Sequence, residues 1–300
     1  MDKKFEMVYK ELYNKMDVLE QKRKNVLISS ELVGAAFFMA IFGILFQKFL
    51  LILGGILVVI LIAINNKNKK NYVSAYKKDI INNFIKLIDD KLEYKTENID
   101  VLALMRDYKT ANFSKESFDI FKVDDHISGL LNNEVYTEIS DLHIQREEEY
   151  YDEEKRKVVH VDVFQGIYTK TDCNKDIGTY IKIFKNQFKL FGKKDRVEMD
   201  SQEFEKYFDI YSENKILTMQ LLTSDVMETL VDFYNKYKIE YEIVIKNNKI
   251  HMRFFTGAMF EPKIYRSSMD KELLLKYYCI LKFIVDVTKE VNKALKETGI

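Results

Sequence analysis

Proline and cysteine are scarce in this sequence, and each shortage excludes a class of protein. The single proline, Pro262, leaves no proline-rich linker or recognition segment. The two cysteines, Cys173 and Cys279, lie far apart and are too few for a disulfide framework, so we expect free thiols in a reducing compartment. An excess of positive charge is missing too, because 47 basic residues balance 47 acidic ones. That balance argues against a nucleic-acid partner.

Two long apolar runs occupy residues 26–64. The first run carries one ionisable residue, Glu31, and the second run, at 49–64, carries none; Gln47 and Lys48 separate them. A cleavable signal peptide has one short apolar stretch, whereas here a second run follows directly. The pattern therefore predicts a transmembrane helical hairpin, with the lipid bilayer as its first partner.

Each apolar run is short for a membrane span. Residues 49–64 would give a helix of roughly 24 Å, whereas the hydrocarbon core is about 30 Å thick. Two arrangements stay open: both helices cross a locally thinned bilayer, or the hairpin is re-entrant. Lys48 at the bilayer centre would cost about 2.5–3.5 kcal/mol, and this cost favours crossing, with Lys48 at the far headgroups.

Basic residues lie at both outer ends of the hairpin. They are Lys22, Arg23 and Lys24 before it, and Lys67, Lys69 and Lys70 after it. The positive-inside rule then predicts a multi-pass cell-membrane protein with both termini in the cytoplasm. Glu31 lies about one turn inside the first run, so we expect it near the interface with Lys24 as a partner. Its role stays open.

Small residues recur at helical spacing in both apolar runs. They are Ala36, Ala40 and Gly43 in the first run, and Gly54 and Gly55 in the second. Small side chains let two helices approach closely, so this pattern predicts tight packing within the hairpin.

Amphipathic helices are predicted on both sides of the hairpin. Residues 5–19 and 73–87 carry apolar side chains at intervals of three and four. Because both segments leave the membrane side by side, we expect them to pair as an antiparallel stalk. The expected contacts are Phe5 with Phe84 or Leu87, and Leu19 with Val73 or Tyr76. The rival arrangement lays residues 5–19 flat on the membrane, but the mixed charge of their polar face disfavours it.

Strand patterns dominate the chain after Tyr108. Apolar residues alternate at Val159, Val161 and Val163, and again within 179–183, 241–245 and 250–254, as half-buried strands require. Between two β-rich stretches, the charged residues 146–156 are typical of a solvated hairpin tip. Helices are predicted at 201–208 and 224–237, each with a serine as its cap, and at 269–296.

Strands and helices come in blocks, and this order indicates an α+β fold with an antiparallel sheet. The expected organisation is an amphipathic helix at 1–25, the transmembrane hairpin at 26–66, a stalk helix and connection at 67–110, and a cytoplasmic domain at 111–300. In that domain we expect a sheet containing 159–163 and 241–245. The long C-terminal helix should cover it, with Leu281 and Ile284 almost fully buried.

Motifs for known chemistry are missing. The sequence has no phosphate-binding glycine loop and no nucleophile elbow. The histidines are His126, His143, His160 and His251, and none has a second ligand at metal-like spacing, so we predict no catalytic, cofactor or metal site. His160 and Asp162 share a strand face, where a surface ion pair is favoured over a catalytic pair. The acidic pairs at 124–125 and 153–154 lie in expected turns and define no carboxylate site.

Five short segments carry a family resemblance. They are Ile-Ser-Gly at 127–129, Phe-Gln-Gly-Ile-Tyr at 164–168, Glu-Phe-Glu-Lys-Tyr-Phe-Asp-Ile-Tyr at 203–211, Leu-Leu-Thr-Ser-Asp-Val-Met-Glu at 221–228, and Phe-Glu-Pro at 260–262. They resemble the prokaryotic membrane proteins grouped as "domain of unknown function 3137", which more often have proline in place of Ser224. The resemblance covers about residues 117–265, and the N-terminal hairpin looks like the family's usual arrangement. It implies this architecture and a bacterial inner membrane, and it implies no activity.

Two functions of different classes follow from these patterns. The first is a non-catalytic interaction or scaffold module at the inner membrane face, which binds a protein partner or a second copy of itself. The anchor, the balanced charge and the missing catalytic motifs favour it. The alternative is a membrane-associated enzyme acting on lipid or envelope precursors, which would require a cleft with converging histidine or carboxylate groups. A transporter component is least favoured, because two helices alone offer no substrate path.

Overall fold

A computed structural model describes residues 3–13, 15–46, 48–95, 98–113, 117–131, 134–152, 155–173, 175–186, 194–268 and 270–297. The chain divides into two compact units. The first comprises Met1–Leu87 and Phe260–Tyr278, and the second comprises Ile88–Met259 and Cys279–Ile300. The long C-terminal helix begins in the first unit and ends in the second, whereas the sequence analysis had assigned all of it to one domain.

Long helices build the first unit. They are α1 (Lys3–Tyr13), α2 (Met16–Phe46) and α3 (Lys48–Tyr76), followed by a π-helical turn (Lys77–Ile81) and α4 (Asn82–Ile88). The hairpin is present as α2 and α3, but its helices continue well beyond the apolar runs. The predicted N-terminal amphipathic helix is therefore split between α1 and the start of α2. The predicted second flanking helix begins inside α3 and passes through the π-helical turn.

Small residues bring α2 and α3 into close contact. A Cβ atom placed on Gly54 would lie 2.8 Å from both Cα and N of Ala40, so no larger residue fits at this position without movement. Ala36 is buried as well. The prediction of tight packing is thus confirmed at Gly54. At Gly55 an added Cβ meets nothing within 4 Å, so this glycine does not share in the contact.

One of the two contacts predicted for the stalk is confirmed, that of Phe5 with Phe84, and the contact of Leu19 with Val73 or Tyr76 stays a prediction. The rings of Phe5 and Phe84 have centroids 5.6 Å apart, and both side chains are buried. Phe5 also packs against Tyr278, at 5.5 Å between centroids. Tyr278 belongs to α9 (Lys271–Glu297), so a third helix joins the predicted pair. The start of the predicted C-terminal helix, at Met269, lies outside the described residues.

Polar contacts join residues 261–268, which precede α9, to α2, α3 and the π-helical turn. Arg23 donates from Nη1 to the carbonyl oxygen of Ile264 at 2.8 Å. Lys77 forms an ion pair with Glu261. The hydroxyl groups of Tyr72 and Ser268 lie 2.9 Å apart. Arg23 belongs to the basic cluster that orients the hairpin, so it also has a structural role at this point.

An antiparallel sheet builds the second unit, and in the described part of the chain it has nine strands. They are β1 (Leu92–Lys95), β2 (Ile120–Leu131), β3 (Val135–Asp152), β4 (Lys155–Asp172), β5 (Tyr180–Lys185), β6 (Arg196–Val197), β7 (Phe208–Ser212), β8 (Tyr241–Lys246) and β9 (Lys249–Phe254). Their order across the sheet is β1-β2-β3-β4-β9-β8-β5-β7-β6. The helices of this unit are α5 (Val101–Ala111), α6 (Gln202–Tyr207), α7 (Lys215–Leu221), α8 (Ser224–Tyr237) and the later part of α9. The α+β class and the antiparallel sheet are as predicted.

Both faces of the sheet are covered. On one face, Phe283 of α9 stacks on Phe233 of α8 at 3.9 Å between centroids and contacts Tyr241 of β8. Leu281 and Ile284 are 1% and 0% exposed, so the predicted helix-on-sheet core is confirmed. The opposite face packs against α5. Its buried apolar cluster is Leu104, Tyr108, Ala111, Phe113, Leu142, Ile144, Phe164, Tyr168 and Val244. The sequence analysis had placed no helix there and had expected one buried face.

The ends of β3 and β4 form a two-stranded ribbon, residues 146–152 paired with 155–161, which we call the β-arm. The predicted solvated tip is thus mostly strand, and residues 153–154 lie outside the described residues. The sequence analysis expected Val159 and Val161 on the buried face of the sheet, and this prediction is wrong, since they are 38% and 37% exposed. The register shifts at Val163, which has no partner on β3, and beyond it the arm pairs only with itself among the described strands.

Candidate functional site

Polar side chains join α2 and α3 at the end of the apolar runs. Asn65 Oδ1 accepts hydrogen bonds from the hydroxyl groups of Ser29 at 2.8 Å and Ser30 at 3.1 Å. Asn68 Nδ2 donates to Ser29 Oγ at 3.4 Å. Uncompensated polar groups are costly in hydrocarbon, so this cluster marks the level at which the pair of helices becomes polar.

Beyond these bonds the two helices frame a cavity of about 440 Å³, which we call the basal groove. Its lining residues are Lys22, Asn25, Asn68, Asn71, Ser74, Ala75, Lys78 and Asp79. On α3 and the turn after it, positions 68, 71, 75 and 78 recur every three or four residues and so share one helix face. Positions 22 and 25 do the same on α2. Helical periodicity therefore collects amide and ammonium groups along one cleft.

The charges of the groove are not balanced. Lys22 and Lys78 face a single carboxylate, Asp79, and neither lysine forms an ion pair with any residue that the structure describes. Their sequence neighbours behave differently, because Arg23 pairs with Glu20 and Lys77 pairs with Glu261. The groove thus presents two uncommitted ammonium groups beside the donors of three asparagines. Such an arrangement suits the binding of an anion and provides no nucleophile with an adjacent base.

Each histidine of the sheet has its own local partner. The predicted pairing of His160 with Asp162 is wrong: Asp162 lies 2.7 Å from His143 Nε2, and His160 lies 3.6 Å from Glu147. Hydrogen bonds from His143 and Gln145 lower the pKa of Asp162. The register of β3 and β4 explains why Asp162 pairs with His143. Gln145 lies opposite Asp162, and His143 is two residues from Gln145 on the same face of β3.

The other two histidines are buried. His126 Nδ1 lies 2.9 Å from Ser140 Oγ. His251 Nδ1 lies 2.8 Å from the hydroxyl of Tyr168, and burial lowers the pKa of His251 to about 4. Burial raises the pKa of Tyr168 well above its usual range. At neutral pH the side chains of His251 and Tyr168 are therefore both uncharged, and the hydrogen bond between them joins β9 to β4 inside the core.

Two buried cations are also held by internal partners. Lys170 lies 2.6 Å from Asp107 and 2.8 Å from Glu138. Burial lowers its pKa, but these hydrogen bonds outweigh burial and raise it overall. Arg253 pairs with Glu242, and its Nη1 donates to the hydroxyl of Tyr108 at 2.9 Å. These groups tie α5 to strands of the sheet, so their positions have a structural explanation.

The remaining sequence candidates do not assemble into a site. Asp125 is buried and accepts a hydrogen bond from the hydroxyl of Tyr94, so it is not in a turn as expected. The pair at 153–154 lies outside the described residues. Glu31 is exposed on α2 and forms no ion pair with Lys24. Among the described residues, no group of three histidine, cysteine or acidic side chains could hold a metal ion.

Sequence reasoning missed the amide residues of the groove. It identified Lys22 as part of a basic cluster, but not Asn25, Asn68 or Asn71. Their signal is the spacing of Asn68 and Asn71 on the helix that follows the second apolar run. The partner face on α2 could be matched to it only after the register of the hairpin was known.

Two of the segments that carry the family resemblance contain a glycine at a close contact between backbones in or beside the sheet. A Cβ atom on Gly166 would lie 2.0 Å from the carbonyl oxygen of Phe254, and one on Gly129 would lie 2.2 Å from that of Lys91. Both motifs therefore admit a close backbone approach that any side chain would block. These two motifs therefore have a structural role in the sheet.

Comparison with known proteins gives a family and one solved structure. The crystal structure of the mycobacterial trehalose monomycolate transport factor A, TtfA, aligns with a TM-score of 0.34 and 8% identity, over 73% of this chain and 94% of that chain. No curated protein sequence matches the chain significantly. Residues 162–293, which include the later part of β4, strands β5–β9 and most of α9, match the family described as "Protein of unknown function (DUF3137)". The match covers 132 of the chain's 300 residues, and this part of the chain is similar to that family.

Proposed function

We propose that this chain is a non-catalytic interaction module of a bacterial inner membrane, anchored by the α2–α3 hairpin with both termini in the cytoplasm. The observation that carries the anchor is the exposure of the apolar helices. Only 17% of the most apolar stretch of the first candidate span is buried, and 6% of that of the second. The core helix of a soluble protein would be mostly buried, so these surfaces require an apolar surrounding such as lipid.

The orientation rests on basic residues at both outer ends of the hairpin. A membrane-impermeant maleimide tests it in a chain whose Cys173 and Cys279 are replaced by serine. Lys10→Cys and Lys289→Cys, both exposed positions, should react only after the cells are permeabilised. Lys48→Cys should react in intact cells if the hairpin crosses the bilayer.

Two results would contradict this topology. Labelling of either terminal position in intact cells would reverse the orientation. A Lys48→Cys chain that stays unlabelled, while the same cysteine reacts in detergent, would show a re-entrant hairpin instead of two spans.

Support for an interaction role comes from the β-arm. Strand alternation and the observed register put Tyr150, Val159 and Val161 on one face of the arm, and all three are exposed. Tyr151 and Val158 are exposed on the other face. Exposed valine and tyrosine side chains among charged residues, on a ribbon that pairs only with itself among the described strands, support a contact surface for another protein.

Site-specific photocrosslinking tests the arm. A photoreactive residue at Val159 should give one adduct of defined mass in native membranes, and Val161→Lys in the same chain should abolish it. Ile216, an isolated exposed apolar residue on α7, is the matched control position. An adduct of twice the chain mass would identify a second copy as the partner. Equal adducts at Val159 and Ile216 would remove the arm from the proposal.

A further inference from the structure

The basal groove has the composition of an anion-binding cleft and the position of a lipid site. It rests on the proposed membrane insertion of the hairpin. Its volume of about 440 Å³ lies within the range of small-ligand pockets. The lining is polar on every side apart from Ala75, whose small side chain leaves the cleft open.

Distances along the helix axis give the position of the groove relative to the bilayer. Asn68 follows Ile64, the last residue of the second apolar run, by roughly 6 Å, and Lys78 follows it by roughly 21 Å. The headgroup layer of a bilayer adds about 5–7 Å to each side of the hydrocarbon. The upper end of the groove therefore lies at headgroup level, and its lower end reaches into water.

Along the helix axis, exposed apolar residues come first and polar residues follow, in the same order as the acyl chains and headgroup of a lipid. Directly above the groove, Ile28 and Ile64 are exposed on the two helices, where acyl chains would lie. Below them, the amides of Asn68 and Asn71 can donate to phosphate oxygens or accept from headgroup hydroxyl groups. Lys22 and Lys78 supply positive charge, while the single carboxylate of Asp79 leaves the groove net cationic.

We propose that the basal groove binds the phosphate-bearing headgroup of an anionic membrane lipid. Basic pockets between transmembrane helices on the cytoplasmic side are a known mode of recognition for such headgroups. Lys22 and Lys78 pair with the phosphate, and the asparagines select a headgroup that carries hydroxyl groups. A soluble phosphate compound shares this chemistry, but it would leave the exposed apolar surface above the groove without a role.

The test uses the full chain purified in detergent and three probes: dihexanoyl phosphatidylglycerol, dihexanoyl phosphatidylcholine and inorganic phosphate. Binding is followed by native mass spectrometry and by the ligand-induced rise in Tm. Phosphatidylglycerol should bind at least tenfold more tightly than phosphatidylcholine. The double substitution Lys22→Gln/Lys78→Gln should weaken its binding roughly 30-fold, because each lysine near an anionic lipid contributes about a factor of five.

The matched control is Lys67→Gln/Lys70→Gln, which removes the same charge from exposed positions that do not line the groove. Its binding should change less than twofold. Ser74→Phe, at an exposed lining position, should block the groove while every charge is kept. An unchanged Tm without ligand shows that each variant is folded.

Three results would overturn the lipid site. Equal losses in the groove and control variants would show unspecific surface charge, and tight binding of inorganic phosphate would show a soluble ligand. Both lipids carry a phosphate, and they differ in the net charge of the headgroup. Equal binding of the two lipids would show that the groove does not distinguish an anionic headgroup from a zwitterionic one. Carbonate extraction separates this failure from that of the anchor: a groove variant that loses lipid binding but stays in the membrane fraction leaves the proposed function intact.

Discussion

The hairpin and the sheet use apolar side chains in opposite ways. In α2 and α3 the large apolar residues point outward, and the contact between the helices depends on small residues such as Ala40 and Gly54. In the sheet unit the large side chains point inward, as Phe254 and Phe283 do. Stability in the first region comes from close approach of backbones, and in the second from interlocked side chains. The two regions should therefore respond to opposite kinds of substitution.

Polar groups follow the same division. The hairpin collects them in one belt, where Asn65 and Asn68 bond to serines of α2 and the lysines line the basal groove. The sheet instead buries them in pairs, as at Arg253 with Glu242 and at His251 with Tyr168. Buried pairs fix strands and helices in place, whereas the uncommitted lysines of the hairpin are available for binding.

The largest effect is expected from shortening a side chain in the sheet core. Leu281→Ala should lower the free energy of unfolding by about 2–5 kcal/mol, because it leaves a cavity between α9 and the sheet. Leu102→Ala is the same change at a residue that is 65% exposed on α5, and it should cost under about 0.5 kcal/mol. Urea melts of the detergent-solubilised chain compare the two. Equal costs would mean that the core does not depend on α9.

The buried histidine should make the sheet unit acid-labile. Burial lowers the pKa of His251 to about 4 from an ordinary value of 6.5. The unfolded chain therefore takes up a proton below pH 6.5 that the folded chain refuses. Stability is full above pH 6.5, falls as the pH decreases, and has lost this contribution near pH 4. The loss amounts to roughly 3 kcal/mol.

His251→Asn isolates that contribution, because an amide at the position of Nδ1 can still form a hydrogen bond with Tyr168 but does not titrate. Unfolding free energies of the full chain at pH 7.5, 6.5 and 5 should show a shallower decline for the variant than for the parent. Some decline should remain, since burial lowers the pKa of His126 too. Parallel pH curves for parent and variant would show that His251 is charged, or exposed, in the folded chain.

In both regions, the helices and strands whose apolar residues recur at regular spacing were predicted correctly from the sequence. The hairpin, the strands of 241–245 and 250–254, and the terminal helix all follow from apolar spacing within a single segment. The pattern at Val159 and Val161 misled for a physical reason. Alternation shows which residues share a face, but it does not show where the neighbouring strand ends or where a register shift occurs, as it does at Val163.

Helices and strands whose apolar residues show no clear periodic spacing were missed. Strand β7 is buried at every position from Phe208 to Ser212, so it shows no alternation and was not predicted; the helix predicted at 201–208 ends on its first residue. Helix α5 is short and was read as a connection. The basal groove depends on two helix faces that are far apart in sequence, and no local pattern relates Lys22 to Lys78, 56 positions later.

In the hairpin, enlarging a residue should be the damaging change. Gly54→Ala places a Cβ atom 2.8 Å from Ala40, so the helices must move apart, at a cost of roughly 1–3 kcal/mol. Gly55→Ala, one position later, meets nothing within 4 Å and should be neutral or stabilising, since alanine favours the helix. Thermal unfolding in detergent, followed by helical circular dichroism, compares them. If Gly55→Ala is the more damaging, the hairpin packs through another face.

The smallest effect distinguishes two adjacent residues at the start of α8. Sequence analysis assigned the cap to Ser224, but Thr223 has the extended backbone of a cap, and its hydroxyl accepts from the backbone N–H of Val226 at 3.4 Å. Thr223→Ala should therefore cost about 1 kcal/mol, whereas Ser224→Ala should change stability by only a few tenths. Ser224 is then the first helical residue, the one position where proline fits a helix without losing a hydrogen bond. Ser224→Pro should therefore be tolerated. Urea melts of the three variants give the ranking, and a larger loss from Ser224→Ala than from Thr223→Ala would restore Ser224 as the cap.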